Sequence, residues 1–142
     1  MKKNSRLPPK ERKKQLEEFV IKATANHGIS RVTHSQVAKL AGVSVSTVHF
    51  YFKRRQDLVK SATSQVEDYL IGIFSENLDQ KSVQGALTDL AAAFLKTGIE
   101  DPDLIKVWLD WSTAIREKVW RDYQILQEEL HRRVRNVLSR AK

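Results

Sequence analysis

Apolar residues recur along most of this chain at the spacing of an amphipathic helix. Between residues 9 and 27, Leu16, Phe19, Val20 and Ala23 follow the i, i+3, i+4, i+7 order of one buried stripe. Similar stripes predict further helices over residues 34–40, 45–52, 56–78, 83–98, 102–115 and 117–142. No segment shows the alternation of a half-buried strand. The pattern therefore predicts an all-α chain.

Residues with known preferences for helix ends lie at the predicted boundaries. Pro9 fits a first turn, and Gly28 fits the left-handed position that closes a helix. Thr33 and Gln36 form the pattern of a capping box, in which each side chain accepts a hydrogen bond from the other residue's backbone N–H. The predicted N-caps of later helices are Ser44, Ser82 and Asp101.

The segment from residue 34 to residue 53 contains two short predicted helices joined by a tight turn. Gly42 would form the turn, and Ala38 is the small residue that two closely packed helices need. Five apolar residues lie where they would hold the pair together: Val37, Ala41, Val43, Val48 and Tyr51. This arrangement is typical of a helix-turn-helix. An accidental αα-hairpin would show a similar pattern, and it is the alternative.

The positive charge of the chain is concentrated in its N-terminal part. The net charge is +8, and residues 1–60 hold 14 Lys and Arg against 4 Asp and Glu, a balance of +10. The remaining residues hold 11 against 13, a balance of −2. Such asymmetry indicates a head that binds a polyanion, joined to a nearly neutral body. A solvated basic arm that keeps the chain soluble is the alternative.

Composition excludes several classes of protein. The 142 residues contain no cysteine, which excludes disulfides and is typical of a cytoplasmic protein. No secretory signal follows the basic N-terminus, and the longest apolar run, residues 90–95, is too short to cross a membrane. The four histidines lack metal-ligand spacing, and there is no nucleophile motif or glycine-rich phosphate loop. We therefore expect no enzymatic activity, no metal and no cofactor.

The second helix of a helix-turn-helix enters the major groove of DNA with its N-terminal residues facing the bases. Here these residues are Val45, Ser46 and Thr47, which offer hydroxyl groups for hydrogen bonds and methyl groups for contact with thymine. His49 and Phe50 follow one turn later. An exposed Phe50 is unfavourable unless it meets DNA or another helix, and packing of Phe50 in the core is an equal alternative.

Residues beside the two short helices are candidates for contact with the DNA backbone. Thr33 and His34 could use the N–H groups at the start of their helix. Arg6, with its neighbouring lysines, lies on a basic arm that could enter the minor groove, and weak nonspecific attraction is the alternative. Side chains that could contact phosphates, or simply be solvated, are Tyr51, Lys53, Arg54 and Arg55.

Two motifs resemble those of a known family. Residues 43–52, VSVSTVHFYF, with Asp57-Leu58-Val59 close behind, resemble the recognition helix of TetR-family repressors. Residues 104–112, LIKVWLDWS, and residues 116–120, REKVW, are similar to the quorum-sensing master regulators of the Vibrio LuxR/HapR type. The second motif is the more specific, because such spacing of tryptophans is much rarer than a helix-turn-helix. The resemblance spans nearly the whole chain.

The resemblance implies a TetR-type helix-turn-helix DNA-binding domain at residues 1–55 and a helical ligand-binding and dimerisation body at residues 56–142. It also implies a homodimer on double-stranded DNA with a pseudo-palindromic operator, and a small hydrophobic effector. By position, Ser44 to Tyr51 inherit contacts in the groove, Thr33 to Ser35 contacts with phosphate, and Arg6 the minor-groove arm. The implied effector pocket, which would otherwise be interpreted as core, is lined by Leu70, Ile73, Phe74, Leu95, Trp111 and Ser112.

The chain departs from the family's pattern at three places. Phe50 stands where the family usually has Asn or His, and Arg54 stands where Ser or Thr usually caps the fourth helix. Relatives continue for about two more helices, so we expect a body truncated at its C-terminus that lacks most of the usual dimer interface, and dimerisation by other surfaces is the alternative. Apolar surface exposed on such a body would favour self-association.

Together these observations predict a sequence-specific DNA-binding transcriptional regulator of the TetR type, responsive to quorum-sensing signals or to a ligand. The alternative is a helical protein-interaction module, such as a truncated co-regulator or antagonist without an operator of its own.

Overall fold

The computed structural model describes residues 7–78 and 82–140. Within these residues it contains seven α-helices and no strand. The first four helices are α1 (Pro9–His27), α2 (His34–Ala41), α3 (Val45–Tyr51) and α4 (Arg55–Leu78). The other three are α5 (Val83–Glu100), α6 (Pro102–Trp111) and α7 (Trp120–Ser139). The predicted all-α class is confirmed. Arg6 and the lysines before it lie outside the described residues.

The first three helices enclose a small apolar core. Leu16 and Val20 of α1 are fully buried, as are Val37 of α2 and Val48 of α3. Ala38 is only 3% exposed, which agrees with its predicted place at the close approach of α2 and α3. The apolar stripes of the sequence therefore pack the helix-turn-helix onto α1.

α4 is the central helix of the molecule, because it contacts α1, α5, α6 and α7. α1 also packs on α6, so the core of the first three helices continues into the rest of the molecule. None of the described helices is both long enough and apolar enough to span a membrane. Buried side chains along α4 and the helices that face it include Leu58, Val66, Leu70, Leu90, Val107, Trp111, Leu126 and Leu130.

Most of the predicted helix caps are confirmed. The Thr33 hydroxyl accepts a hydrogen bond from the Gln36 N–H at 3.2 Å, and the Gln36 side chain accepts one from the Thr33 N–H at 2.8 Å. Ser44 and Ser82 accept bonds at the starts of α3 and α5, each at 3.1 Å. Such caps satisfy N–H groups that have no partner within the helix, and each contributes about 1 kcal/mol.

Two caps differ from the prediction. Asp101 precedes α6, but its side chain makes no capping hydrogen bond. Gly28 has the positive φ expected, 96°, but its ψ of 156° lies outside the left-handed helical region. Gly28 thus turns the chain into an extended conformation after α1 instead of closing the helix in the usual way.

The end of α6 also differs from the prediction. The helix stops at Trp111, so Ile115 lies in the connection to α7 and is 67% exposed instead of facing inward. The Ser112 and Thr113 hydroxyls donate to the carbonyls of Leu109 and Asp110, at 2.6 and 3.0 Å. Such local bonds offer the backbone an alternative to continuing the helix. α7 consequently begins at Trp120, three residues later than predicted.

Candidate nucleic-acid interface

One side of α3 is open to solvent. Val45, Ser46, His49 and Phe50 are exposed, and we call these four residues the α3 outer face. Residues at these spacings share one side of a helix, and Val48 on the opposite side is fully buried. Phe50 is 67% exposed, so the alternative that it packs in the core is excluded. Within the predicted groove-contacting span from Ser44 to Tyr51, Ser44 is therefore exposed like the α3 outer face, whereas Thr47 and Tyr51 are half-buried and Val48 is buried.

The turn before α3 depends on the backbone of Gly42. Its φ of 69° and ψ of 33° place it in the left-handed region, and its N–H bonds to the Ala38 carbonyl. A Cβ added at Gly42 would meet no atom within 4 Å. The requirement for glycine thus comes from backbone conformation, which costs other residues about 1–2 kcal/mol, and not from lack of space.

Hydroxyl groups at the start of α3 are bonded to one another. Ser44 Oγ accepts from the Thr47 N–H at 3.1 Å, and it lies 2.8 Å from Thr47 Oγ1 and 3.0 Å from Ser46 Oγ. Ser46 is exposed, whereas Thr47 is half-buried. Ser44 and Thr47 therefore serve first as the cap of α3, and Ser46 offers the more accessible hydroxyl.

The start of α2 offers two backbone donors. The capping box occupies the N–H groups of Thr33 and Gln36. The N–H groups of His34 and Ser35 have no partner within residues 7–78 and 82–140. Adjacent free N–H groups at the positive end of a helix suit a phosphate oxygen. This geometry agrees with a phosphate contact by the backbone of these residues.

The imidazole of His34 has a structural role instead. It is 8% exposed, and its Nε2 donates to the Phe52 carbonyl at 2.5 Å. Since a carbonyl only accepts, the proton of this bond must be on Nε2. The ring stacks on His49, with centroids 3.7 Å apart. His34 thus connects the start of α2 to both the middle and the end of α3.

Four exposed cations lie in α2 or in the segments beside α2 and α3. Lys53 and Arg54 were singled out from the sequence, whereas Arg31, which precedes the helix-turn-helix, and Lys39, which lies within α2, were missed. Across the described ranges, none of the four comes within 4.0 Å of a carboxylate. Their charge is therefore not neutralised by an ion pair within this part of the protein.

Arg54 occupies the position before α4 where a side-chain cap is expected. Its backbone N–H donates to the Asp57 carboxylate at 2.9 Å. This is the half of a capping box that the third residue of the helix provides. Asp57 therefore compensates in part for the missing Ser or Thr, and the Arg54 side chain stays exposed.

Arg55 does not join these cations. Its Nη1 donates to the Ile29 carbonyl at 2.7 Å, and its Nη2 lies 3.7 Å from Glu117 Oε1. The Ile29 N–H donates in turn to Asp110 Oδ2 at 2.7 Å. The backbone between α1 and α2 is thus held by side chains of α4 and α6. Arg55 therefore belongs to the contact between the α1–α2 connection and helices α4 and α6, which we call the head–body junction, and its predicted contact with phosphate stays a prediction.

The residues of the implied effector pocket are not gathered around one cavity. Leu70, Phe74 and Trp111 are buried core residues, and Trp111 Nε1 donates to the Val119 carbonyl at 2.9 Å. Ile73 and Ser112 are half-buried. Leu95 is 71% exposed on the outer side of α5, so it cannot share an enclosed pocket with these side chains.

Of an aromatic cluster between α4, α5 and α6, only Phe74 was singled out as a site residue from the sequence. The ring of Phe94 lies 5.3 Å from Trp108, 6.1 Å from Phe74 and 6.4 Å from Tyr69. Trp108 Nε1 is buried and has no hydrogen-bond partner in the described part of the protein. A buried donor left unpaired costs about 1–3 kcal/mol, so this atom is a candidate for binding an acceptor. The sequence signal was limited to helical spacing, which core residues share.

Residues 21–62 match the bacterial regulatory proteins of the tetR family. The matched segment runs from α1 into α4 and includes Gly42 and the α3 outer face. The chain is also 34% identical, over 117 residues, to the HTH-type transcriptional regulator LuxR of Vibrio harveyi. That match covers 82% of this chain but 57% of the relative, so the chain spans little more than half of the relative's length.

Solved structures agree on the fold. A protein of Pseudomonas aeruginosa PAO1 described as a transcriptional regulator matches 95% of this chain and 65% of its own, with a TM-score of 0.65 and 23% identity. A transcriptional regulator (TerR/AcrR family) of Aquifex aeolicus VF5 matches 90% of this chain and 71% of its own, with a TM-score of 0.66 and 19% identity. By the match of residues 21–62, the chain contains the helix-turn-helix domain of the tetR family of bacterial regulatory proteins.

Proposed function

We propose that this chain is a transcriptional regulator that recognises an operator through the α3 outer face. The single observation that supports this most is the exposure of Phe50 beside a helix whose other side is well packed. A complex that covers this side chain would remove its apolar surface from water, which is favourable. We further propose residues 1–55 as the DNA-binding domain and residues 56–142 as the body.

The proposed contacts fall into two groups. Side chains of the α3 outer face meet base edges, which gives specificity. The N–H groups of His34 and Ser35, together with Lys53 and Arg54, meet phosphates and set the register. The unpaired cations supply most of the electrostatic attraction, which depends on salt because binding releases counterions from the DNA.

A titration tests this function. An operator is selected from a random duplex library, and its affinity is measured by fluorescence anisotropy from 50 to 300 mM salt, beside a scrambled duplex. We expect both affinities to fall linearly with the logarithm of salt concentration, and the selected duplex to bind about 10³-fold more tightly or better. Affinity that hardly changes with salt, or the absence of any preferred sequence, would contradict the proposal.

We propose further that two copies bind one pseudo-palindromic operator. A single head offers one short helix to the groove, and two heads on one face of DNA contact half-sites about 34–36 Å apart. Sedimentation of the protein with a palindromic duplex should give two chains per duplex, and a half-site duplex should bind one chain more weakly. One chain per palindrome at full affinity would rule out the paired arrangement.

A flat apolar effector that carries a hydrogen-bond acceptor is the proposed ligand of the body. The unpaired Trp108 Nε1 and the ring of Phe94 stacked on Trp108 support it. With 2-naphthol as a probe, Trp108→Phe should keep the apolar surface but weaken binding about fivefold, the value of a typical hydrogen bond. If both proteins bind 2-naphthol equally, as measured by the fluorescence of the remaining tryptophans, Trp108 is not part of the site.

An interaction module without an operator is the second candidate function. The observation in its favour is an apolar row on the outer side of α5, where Leu87, Leu95 and Ile99 are 39, 71 and 83% exposed. Duplex titration separates the two candidates. If no duplex binds even at low salt, the interaction function is favoured.

A further inference from the structure

Phe50 is the most exposed large apolar side chain of the first three helices, at 67%. Two residues later, Phe52 is 3% exposed, so the same kind of side chain fills the core there. Phe50 therefore has no packing role in the head that would explain its presence. On the α3 outer face it lies beside exposed Ser46 and His49, whose side chains carry hydrogen-bonding groups.

The phenyl ring of Phe50 contacts the ring of Tyr51 and lies near the ammonium group of Lys53. Its centroid lies 5.0 Å from that of half-buried Tyr51, in an edge-to-face arrangement at 87°. The Lys53 ammonium lies 6.0 Å from the Phe50 centroid. Such contacts favour a limited set of ring positions. The ring and the ammonium can thus approach a duplex together, with the ammonium toward a phosphate.

A phenyl ring has neither donors nor acceptors, so it cannot distinguish bases by their hydrogen-bonding edges. In the major groove, the apolar group that distinguishes one base from the others is the C5 methyl of thymine. We propose that Phe50 is a specificity-determining residue that selects thymine at one position of each operator half-site through this methyl group. The inference rests on the proposed DNA-binding function, and it names the group on the DNA that Phe50 recognises.

The test removes single methyl groups from the DNA. Each thymine of the selected operator is replaced in turn by deoxyuridine, which keeps the base pair and loses the C5 methyl. At one position in each half-site, we expect the substitution to weaken binding about fourfold, since burial of one such group is worth about 0.8 kcal/mol. Cytosine at the same position should bind about fourfold more tightly when it is replaced by 5-methylcytosine.

Protein variants assign the methyl contact to one residue. Phe50→Ala should bind the thymine and deoxyuridine duplexes equally, and Phe50→Leu should keep part of the preference. Val45→Ala is the matched control, because Val45 is the other apolar residue of the α3 outer face and is 40% exposed. Thermal unfolding should be unchanged in Phe50→Ala, because the side chain is exposed.

Three results would overturn the inference. If the thymine preference is lost in Val45→Ala but kept in Phe50→Ala, Val45 makes the contact. If the selected operator binds specifically, yet deoxyuridine is tolerated at every position, the methyl is not recognised although the DNA-binding function stands. If no sequence is preferred at all, both the function and this inference fail.

Discussion

Arg54 and Arg55 are adjacent in the chain, yet their side chains have different surroundings. Arg54 is exposed and has no carboxylate within 4.0 Å among the described residues. Arg55 donates to the Ile29 carbonyl and pairs with Glu117, in the head–body junction. The difference arises because α4 begins at Arg55, so the two side chains leave the backbone in different directions. At the residue scale, one arginine is free for phosphate and the other stabilises the fold.

We expect the two arginines to respond differently to removal. Arg54→Ala should weaken every duplex to a similar extent and reduce the salt slope of binding by about one. Arg55→Ala should leave that slope unchanged but lower the free energy of unfolding by about 1 kcal/mol, because the partly exposed junction loses a charged donor. Salt-dependent anisotropy and urea denaturation measure the two effects. A reduced salt slope of binding in Arg55→Ala would mean that Arg55 also contacts phosphate.

α3 has only seven residues, too few for an isolated helix to be stable in water. Its stability depends on three attachments at the scale of the element. Ser44 caps its start, Val48 is buried beneath it, and the bond from His34 to Phe52 holds its end. The left-handed turn at Gly42 then sets the direction in which α3 leaves α2. Together these attachments hold the α3 outer face in place.

Substitution of Gly42 tests how strictly the turn determines the interface. Gly42→Val should lower the free energy of unfolding by about 2 kcal/mol and abolish specific binding, because a β-branched residue is strained at positive φ. Gly42→Asn should keep most of both, since Asn adopts this conformation more readily than other residues with a side chain. Chemical denaturation and anisotropy measure the outcome. Full specific binding by Gly42→Val would mean that the turn does not need this backbone.

At the scale of the whole molecule, α5 carries the two most exposed large apolar side chains of the described residues, Leu95 and Ile99. α7 presents polar residues such as Gln124, Glu128 and Arg132 to solvent, and its exposed apolar residues, Ile125 and Leu138, are 53 and 47% exposed. α5 instead presents Leu87, Leu95 and Ile99, spaced for one row along the helix. An exposed apolar row of this kind favours association of α5 with another apolar surface.

Introducing charge on α5 should reduce self-association. We expect Leu95→Lys combined with Ile99→Lys to lower the weight-average mass at high protein concentration, because a desolvated lysine would destabilise the contact. Gln124→Lys on α7 adds charge at an exposed polar position and should have no such effect. Sedimentation velocity over a range of concentrations measures the association, and circular dichroism checks the fold. Unchanged association in the double variant would locate the contact elsewhere.

Much of the candidate site follows from local patterns in the sequence. The caps at Thr33 and Ser44 and the glycine turn were predicted and are present, because each depends on atoms within a few residues of one another. Phe50 shows the limit of this reasoning. Its spacing permitted either burial or exposure, and the choice depends on which side of α3 faces α1 and α2.

The sequence by itself determined most of the helix starts, the turn at Gly42 and where positive charge accumulates, whereas α7 begins three residues later than predicted. These properties follow from hydrogen bonds, backbone preferences and composition over short stretches. Only the tertiary structure decided that Arg55 belongs to the junction, that Leu95 lies outside the core and that Trp108 Nε1 has no acceptor. The bonds at the Ile29 backbone join residues 26 and 81 positions apart. Contacts at such separations depend on how the helices pack, and a periodic pattern in the sequence does not specify them.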